Sequence, residues 1–302
     1  MPAFIERLIA AVRRVQNPVL VGLDPRLESL PGVLSQASSL PAAAENYAQF
    51  CRGVIDVVAP LVAAVKPQAA FFEQLGPPGM QALADVIHYA SERGLLVILD
   101  GKRNDIGSTA AGYAEAYLGR TSPWGADALT VSPYLGDDSL TPFMDICRSR
   151  EAGIFVLVKT SNPGGKLLQD LQVEGKTLYR RVGEFVNGLA RDTADVHGYG
   201  AAGAVVGATY PEQLAELRAA LPQTWFLIPG FGAQGGTAKD CAAAFDDRGL
   251  GAIVNNSRGI IFAHTRPEYR ERFGAAKWQD AVAAATQEMI DQMRAETSAG
   301  RL

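Results

Sequence analysis

Asp100, Lys102 and Asp105 set two carboxylates around one amine within a single short stretch. An ammonium flanked in this way has its charged form favoured, so Lys102 is expected to serve as an acid or a fixed positive charge, not as a nucleophile. The row follows Leu95-Leu96-Val97-Ile98-Leu99, an apolar run that predicts a parallel strand buried on both faces. Strand side chains alternate, which puts Leu96, Ile98, Asp100 and Lys102 on one face if the strand continues that far. Charges then emerge where a core strand ends. Gly107 marks a turn beyond Asp105, and Ser108 or Thr109 is expected to cap a helix over residues 110–118. Taken alone, the row also fits a solvated loop, and only its neighbours in space can decide between the two.

The elements that must position it repeat one pattern. Val19-Leu20-Val21-Gly22-Leu23 runs into Asp24, residues 61–65 into Lys66 and Pro67, residues 128–131 into 132–138, and residues 154–158 into Lys159-Thr160-Ser161. Residues 204–206, 225–228 and 252–254 continue the series, the last two running into Pro229 and into Asn255-Asn256-Ser257-Arg258. Pro67 is expected to close the second strand, because proline cannot extend a ladder. Helical stretches separate the strands; residues 79–93, for example, carry Met80, Leu83, Ala84, Ile87 and Ala90 as one apolar stripe. Two connections, 27–41 and 160–175, are long and read as loops. Eight short strands alternating with eight helices predict a (β/α)8 TIM barrel, with an additional N-terminal helix over 4–15, as one domain spanning residues 1–302. A doubly wound sheet is the alternative, but its glycine-rich turn after the first strand is replaced here by Asp24-Pro25-Arg26.

In a barrel all strand ends converge on one face. That convergence would assemble Asp24, Lys66, Asp100, Lys102, Ser161, Gln234 and Arg258. The four glycines of residues 230–236 allow close backbone approach to an anion, the helix that follows would offer its N-terminus, and Arg258 could add a bidentate cation. These features point to a phosphate at the loops after the last two strands. Lys159 has no acidic neighbour in sequence, so a barrel aldolase forming an imine there stays open.

Composition narrows the alternatives. The 302 residues are 48% hydrophobic and 20% charged, with a net charge of −4 that leaves no basic footprint for nucleic acid. Nothing is apolar for long enough to span a membrane, and residues 4–15 are interrupted by Glu6, Arg7, Arg13 and Arg14, unlike a signal peptide. Cys51, Cys147 and Cys241 are odd in number and far apart, each within a predicted helix, which suits small apolar residues in a reducing, cytoplasmic compartment. His88, His197 and His264 are too scattered to suggest a zinc site, and no metal ligand set is expected.

Asp100-Gly101-Lys102-Arg103-Asn104-Asp105-Ile106-Gly107-Ser108-Thr109 closely resembles the signature of the orotidine 5′-phosphate decarboxylases. The other strand ends agree in order and type: Asp24, Lys66, Ser161-Asn162-Pro163-Gly164, Pro229-Gly230-Phe231-Gly232-Ala233-Gln234-Gly235-Gly236, and Arg258. The long connections after the first and fifth strands resemble the larger bacterial (type 2) subgroup. The resemblance implies a cofactor-independent carboxy-lyase converting orotidine 5′-phosphate to uridine 5′-phosphate and CO₂ in pyrimidine biosynthesis. It makes Lys102 the proton donor to C6, Asp100 the carboxylate beside the departing group, and Asp24 and Lys66 ribose ligands, with Lys66 also tied to Asp100. Asp105 and Thr109 would reach into the partner's site of a homodimer, Ser161 would read the pyrimidine edge, and Pro229, Gln234 and Arg258 would complete the substrate site, the last two as the phosphate grip. A sugar-phosphate decarboxylase or aldolase on the same barrel, and a non-catalytic nucleotide-binding barrel, are the competing readings.

Overall fold

The computed structural model describes residues 3–232 and 235–302. Eight parallel strands close into a barrel in the order β1-β8-β7-β6-β5-β4-β3-β2. They are β1 (Val19–Leu23), β2 (Ala64–Pro67), β3 (Leu96–Arg103), β4 (Ala128–Val131), β5 (Gly153–Lys159), β6 (Ala202–Val206), β7 (Phe226–Ile228) and β8 (Ala252–Asn256). Alternation sorts their side chains into two apolar bodies. Val19, Val21, Val97, Leu99, Ile154 and Val156 face the surrounding helices, while Leu20, Leu96, Ile98, Phe155, Leu227 and Ile253 fill the barrel. Among the described residues no helix is long and apolar enough to cross a membrane.

The leading helix, Phe4–Val15, plugs the end of the barrel opposite the strand carboxyl ends. Its stripe Phe4, Ile5, Leu8, Ile9 and Val12 joins the inner apolar body. Phe4 meets Phe155 edge to face at 6.1 Å, and a side chain at Gly153 would occupy the Phe4 ring. Arg7 fastens the plug to Asp127, a fully buried carboxylate that also accepts the Val97 N–H at 2.9 Å.

Several local expectations are corrected. The second strand begins at Ala64, not 61, because the Leu61 and Val62 N–H groups still donate to Val58 O of the preceding helix. The strand does end at Pro67, as expected, and the Gln68 N–H, not proline, bonds Leu23 O. The third helix of the barrel runs Gly107–Tyr117 with Ile106 at its N-cap and no side-chain cap, so Ser108 and Thr109 sit within its first turn. The connection 27–41 holds two 3₁₀ turns, and the next helix starts early, at Leu40, because Ser39 caps it. Residues 160–175 are no bare loop. They carry the turn Lys166–Gln169, then a hairpin pairing Gln172–Val173 with Lys176–Thr177, reversed by Glu174 and Gly175, both at positive φ.

Candidate active site

The mouth of the barrel opens into a cavity of about 280 Å³ lined by Asp24, Lys66, Gln68, Asp100, Lys102, Thr130, Leu157, Ser161, Pro229 and Arg258, among others. Six of these are the strand-end residues expected from sequence and a seventh, Pro229, is implied by the resemblance; the structure brings all seven together. Asp105 and Thr109 lie outside the cavity lining. Gln234 falls outside the described residues.

Asp100 is the hub. One carboxylate oxygen receives Lys66 Nζ at 2.7 Å and Gln68 Nε2 at 3.0 Å; the other receives Lys102 Nζ at 2.5 Å and the Thr130 hydroxyl at 3.0 Å. Burial alone would push this carboxyl up, but Lys66 and Lys102 outweigh it and hold Asp100 well below the usual carboxylate range. Burial pulls Lys66 down, yet Asp100 and then Asp24 more than reverse that, so its ammonium is held above its ordinary value. The site therefore holds fixed charges of both signs, and the buried pair Lys66 and Asp100 acts more strongly than it would in water. Lys66 is 4% and Asp100 8% exposed, whereas Lys102 extends into the cavity with about half its side chain accessible.

Gln68 and Thr130 are site residues that sequence reasoning missed. Both were legible in principle: Gln68 shares the face of Lys66 two positions on, and Thr130 is a polar residue at an inward position of an apolar strand. Asp24 Oδ1 is buried without a hydrogen bond to any described residue, an acceptor free for a ligand hydroxyl. Gly22 is required beside it, since a Cβ there would overlap the Ser257 hydroxyl.

The anion end differs from expectation. The helix after the glycine-rich stretch is a single turn, Ala238–Cys241, closed by Thr237 and Asp240 bonding each other's N–H groups. The Gly232, Gly235 and Gly236 N–H groups bond carbonyls of their own loop. Arg258 is exposed at the cavity edge and has no ion pair among the described residues. Lys159 is not placed for imine chemistry. It is 1% exposed, paired with Asp170 and set 4.6 Å from the Tyr210 ring, and it does not line the cavity.

Fold and site together define a (β/α)8-barrel enzyme with its chemistry at the carboxyl ends of the strands. Residues 17–272 match the model of the orotidine 5′-phosphate decarboxylase / HUMPS family. An orotidine 5′-phosphate decarboxylase of Rhodopirellula baltica is 58% identical over 301 residues, 97% of this chain and 100% of that protein. One from Deinococcus radiodurans is 43% identical over 266 residues, covering 87% and 90% of the two chains. The solved structure of Leishmania donovani OMP decarboxylase superposes with a TM-score of 0.76 at 34% identity, covering 97% of this chain and 98% of the other. The chain belongs to the orotidine 5′-phosphate decarboxylase family.

Proposed function

We propose that this barrel removes CO₂ from orotidine 5′-phosphate by presenting the Lys102 ammonium to the carbanion that forms at C6. Its family makes it a carboxy-lyase of pyrimidine synthesis, giving uridine 5′-phosphate. The observation that carries the mechanism is the Lys66–Asp100–Lys102 array, in which the one half-exposed ammonium is held by a buried carboxylate. In the reaction the C6–carboxylate bond breaks and its electron pair stays on C6. That pair cannot spread simply into the ring carbonyls, so a preorganised positive charge must meet it. Lys102 then transfers a proton to C6 and is reprotonated from water. Asp100 would also repel the substrate carboxylate: at ~4 Å and an effective dielectric near 20 this is about 4 kcal/mol, against the roughly 8–23 kcal/mol that enzymes supply. Stabilising the transition state therefore carries more of the rate than straining the ground state.

Asp24 and Lys66 would hold the ribose hydroxyls, Ser161 the pyrimidine edge, and Pro229, Gln234 and Arg258 the remainder of the nucleotide, with Arg258 on phosphate. The segment 160–177 starts at the cavity, which Thr160, Ser161 and Asn162 line, and is pinned there: Thr160 N–H donates to Gln169 Oε1 at 3.0 Å, and Gln169 Nε2 donates to Thr160 Oγ1 at 2.8 Å. Phosphate binding far from C6 would supply energy for closing it.

The active unit is a homodimer with shared sites, with each chain, residues 1–302, acting as one catalytic domain. Asp105 and Thr109 lie outside their own cavity, and Ile106, Tyr134 and Leu135 on neighbouring strand-end loops are 55%, 78% and 49% exposed. A cytoplasmic location fits the three buried thiols, whose pKa values burial raises, leaving them unreactive. The test is an absorbance assay with orotidine 5′-phosphate, with and without chelator. Conversion to uridine 5′-phosphate insensitive to chelator is expected; nucleotide binding without conversion would sink the reading.

A further inference from the structure

We infer that the Thr130 hydroxyl is the positioning group that aims Lys102, by closing the bulge in β3 and tying the Lys102 backbone to the same carboxylate oxygen that holds its ammonium. The inference rests on Lys102 being the proton donor proposed above.

Pairing between β3 and β4 is regular at Ile98 with Ala128 and Leu99 with Leu129, then resumes only at Arg103 with Val131. Four steps along β3 thus match two along β4, and the extra residues bulge out at the strand's end. Lys102 lies in that bulge with φ at +46°, a left-handed conformation that a lysine adopts only when its surroundings impose it. Its N–H donates to a side chain of β4, Thr130 Oγ1, at 2.9 Å. The same hydroxyl donates its single proton to Asp100 Oδ1 at 3.0 Å, and Lys102 Nζ meets that oxygen at 2.5 Å.

These bonds form a closed ring: Lys102 amide to hydroxyl, hydroxyl to carboxylate, carboxylate to Lys102 ammonium. A threonine hydroxyl has one proton, so donation to Asp100 leaves its lone pairs for the amide and fixes its orientation. Thr130 is 1% exposed, and water cannot readily take over either bond. Removing the oxygen would free the Lys102 backbone to leave the left-handed region and swing the ammonium while the remote substrate contacts stay intact. Misplacement of a reacting group by about 1 Å costs on the order of a hundredfold in rate.

The experiment compares Thr130→Val, which replaces the hydroxyl by a methyl of similar shape, with Thr130→Ser, which keeps it. Thr130→Val is expected to lower kcat by about tenfold to a hundredfold with KM for orotidine 5′-phosphate within about twofold, and Thr130→Ser to restore most of kcat. Thr130→Ala provides a second pair with Thr130→Ser, differing only in the oxygen, should valine prevent folding. Equal kcat in Thr130→Val and the native chain, or equal loss in the serine and alanine variants, would overturn the inference. Lys102→Ala is run alongside: if it is active, the proton-donor reading has failed, whereas an inactive Lys102→Ala beside a fully active Thr130→Val refutes only the role of Thr130.

Discussion

Lys102 Nζ lies 2.5 Å from Asp100 Oδ1, and the lysine that supplies it has a left-handed backbone. The strain and the ion pair coincide at the one charged side chain of the array that is half exposed at the cavity. That coincidence is what supports the acid role proposed for Lys102. Lys102→Ala should therefore lower kcat by at least about 10²–10⁴-fold, the usual worth of a positioned acid, while uridine 5′-phosphate binds with little change. Stopped-flow turnover and calorimetric binding of product check the two halves, and normal turnover removes Lys102 from the mechanism.

Asp100→Asn should destabilise the fold by about 3–5 kcal/mol, because the buried Lys66 ammonium loses its partner. The sign with pH follows from the two shifts. Asp100 is held below its ordinary 3.8, so its contribution is full above that value and fades as pH falls through the lowered one. Lys66 is held above its ordinary 10.5, so its contribution is full below that value and fades as pH rises through the raised one. Urea unfolding of both proteins should show a constant gap from about pH 5 to 9, narrowing on either side.

Asp105→Ala and Lys102→Ala, each inactive alone, should complement when mixed as subunits. A random hybrid carries both lesions in one of its sites and neither in the other, so about a quarter of native sites return in an equal mixture. Hybrid dimers verified by mass spectrometry but devoid of turnover would place Asp105 in its own chain's site.

Phe4→Ala should cost about 3–5 kcal/mol without changing kcat in the folded fraction. The ring is 2% exposed, seated between Gly153 and Phe155 on the barrel floor, at the end away from the cavity. A thermal shift with unaltered kinetics is the expected result; a fall in kcat at full folding would mean that the plug also sets the geometry of the mouth.

Most of the barrel was legible because each strand and helix advertises itself locally, by apolar runs at 19–23 and 128–131 and by the stripe on 76–92. The charged residues at the strand ends were legible for the same reason, since a strand's end is a sequence position and a barrel sends all such ends to one face. Where local signals conflicted, the reading failed. Leu61 and Val62 are apolar whether they finish a helix or start a strand, and Glu174-Gly175 reveals a hairpin only once both residues take positive φ.

The sequence by itself thus determined the architecture and the chemical types in the site: two lysines, their carboxylate and a lone arginine. Only the tertiary structure decided which atoms meet. That Lys159 is buried against Asp170 while Lys102 stays half exposed beside Asp100, that Gln68 and Thr130 crowd the Asp100 carboxylate, and that β3 bulges against β4 are facts of register between separate strands. Register depends on every neighbour at once, and no local stretch encodes it.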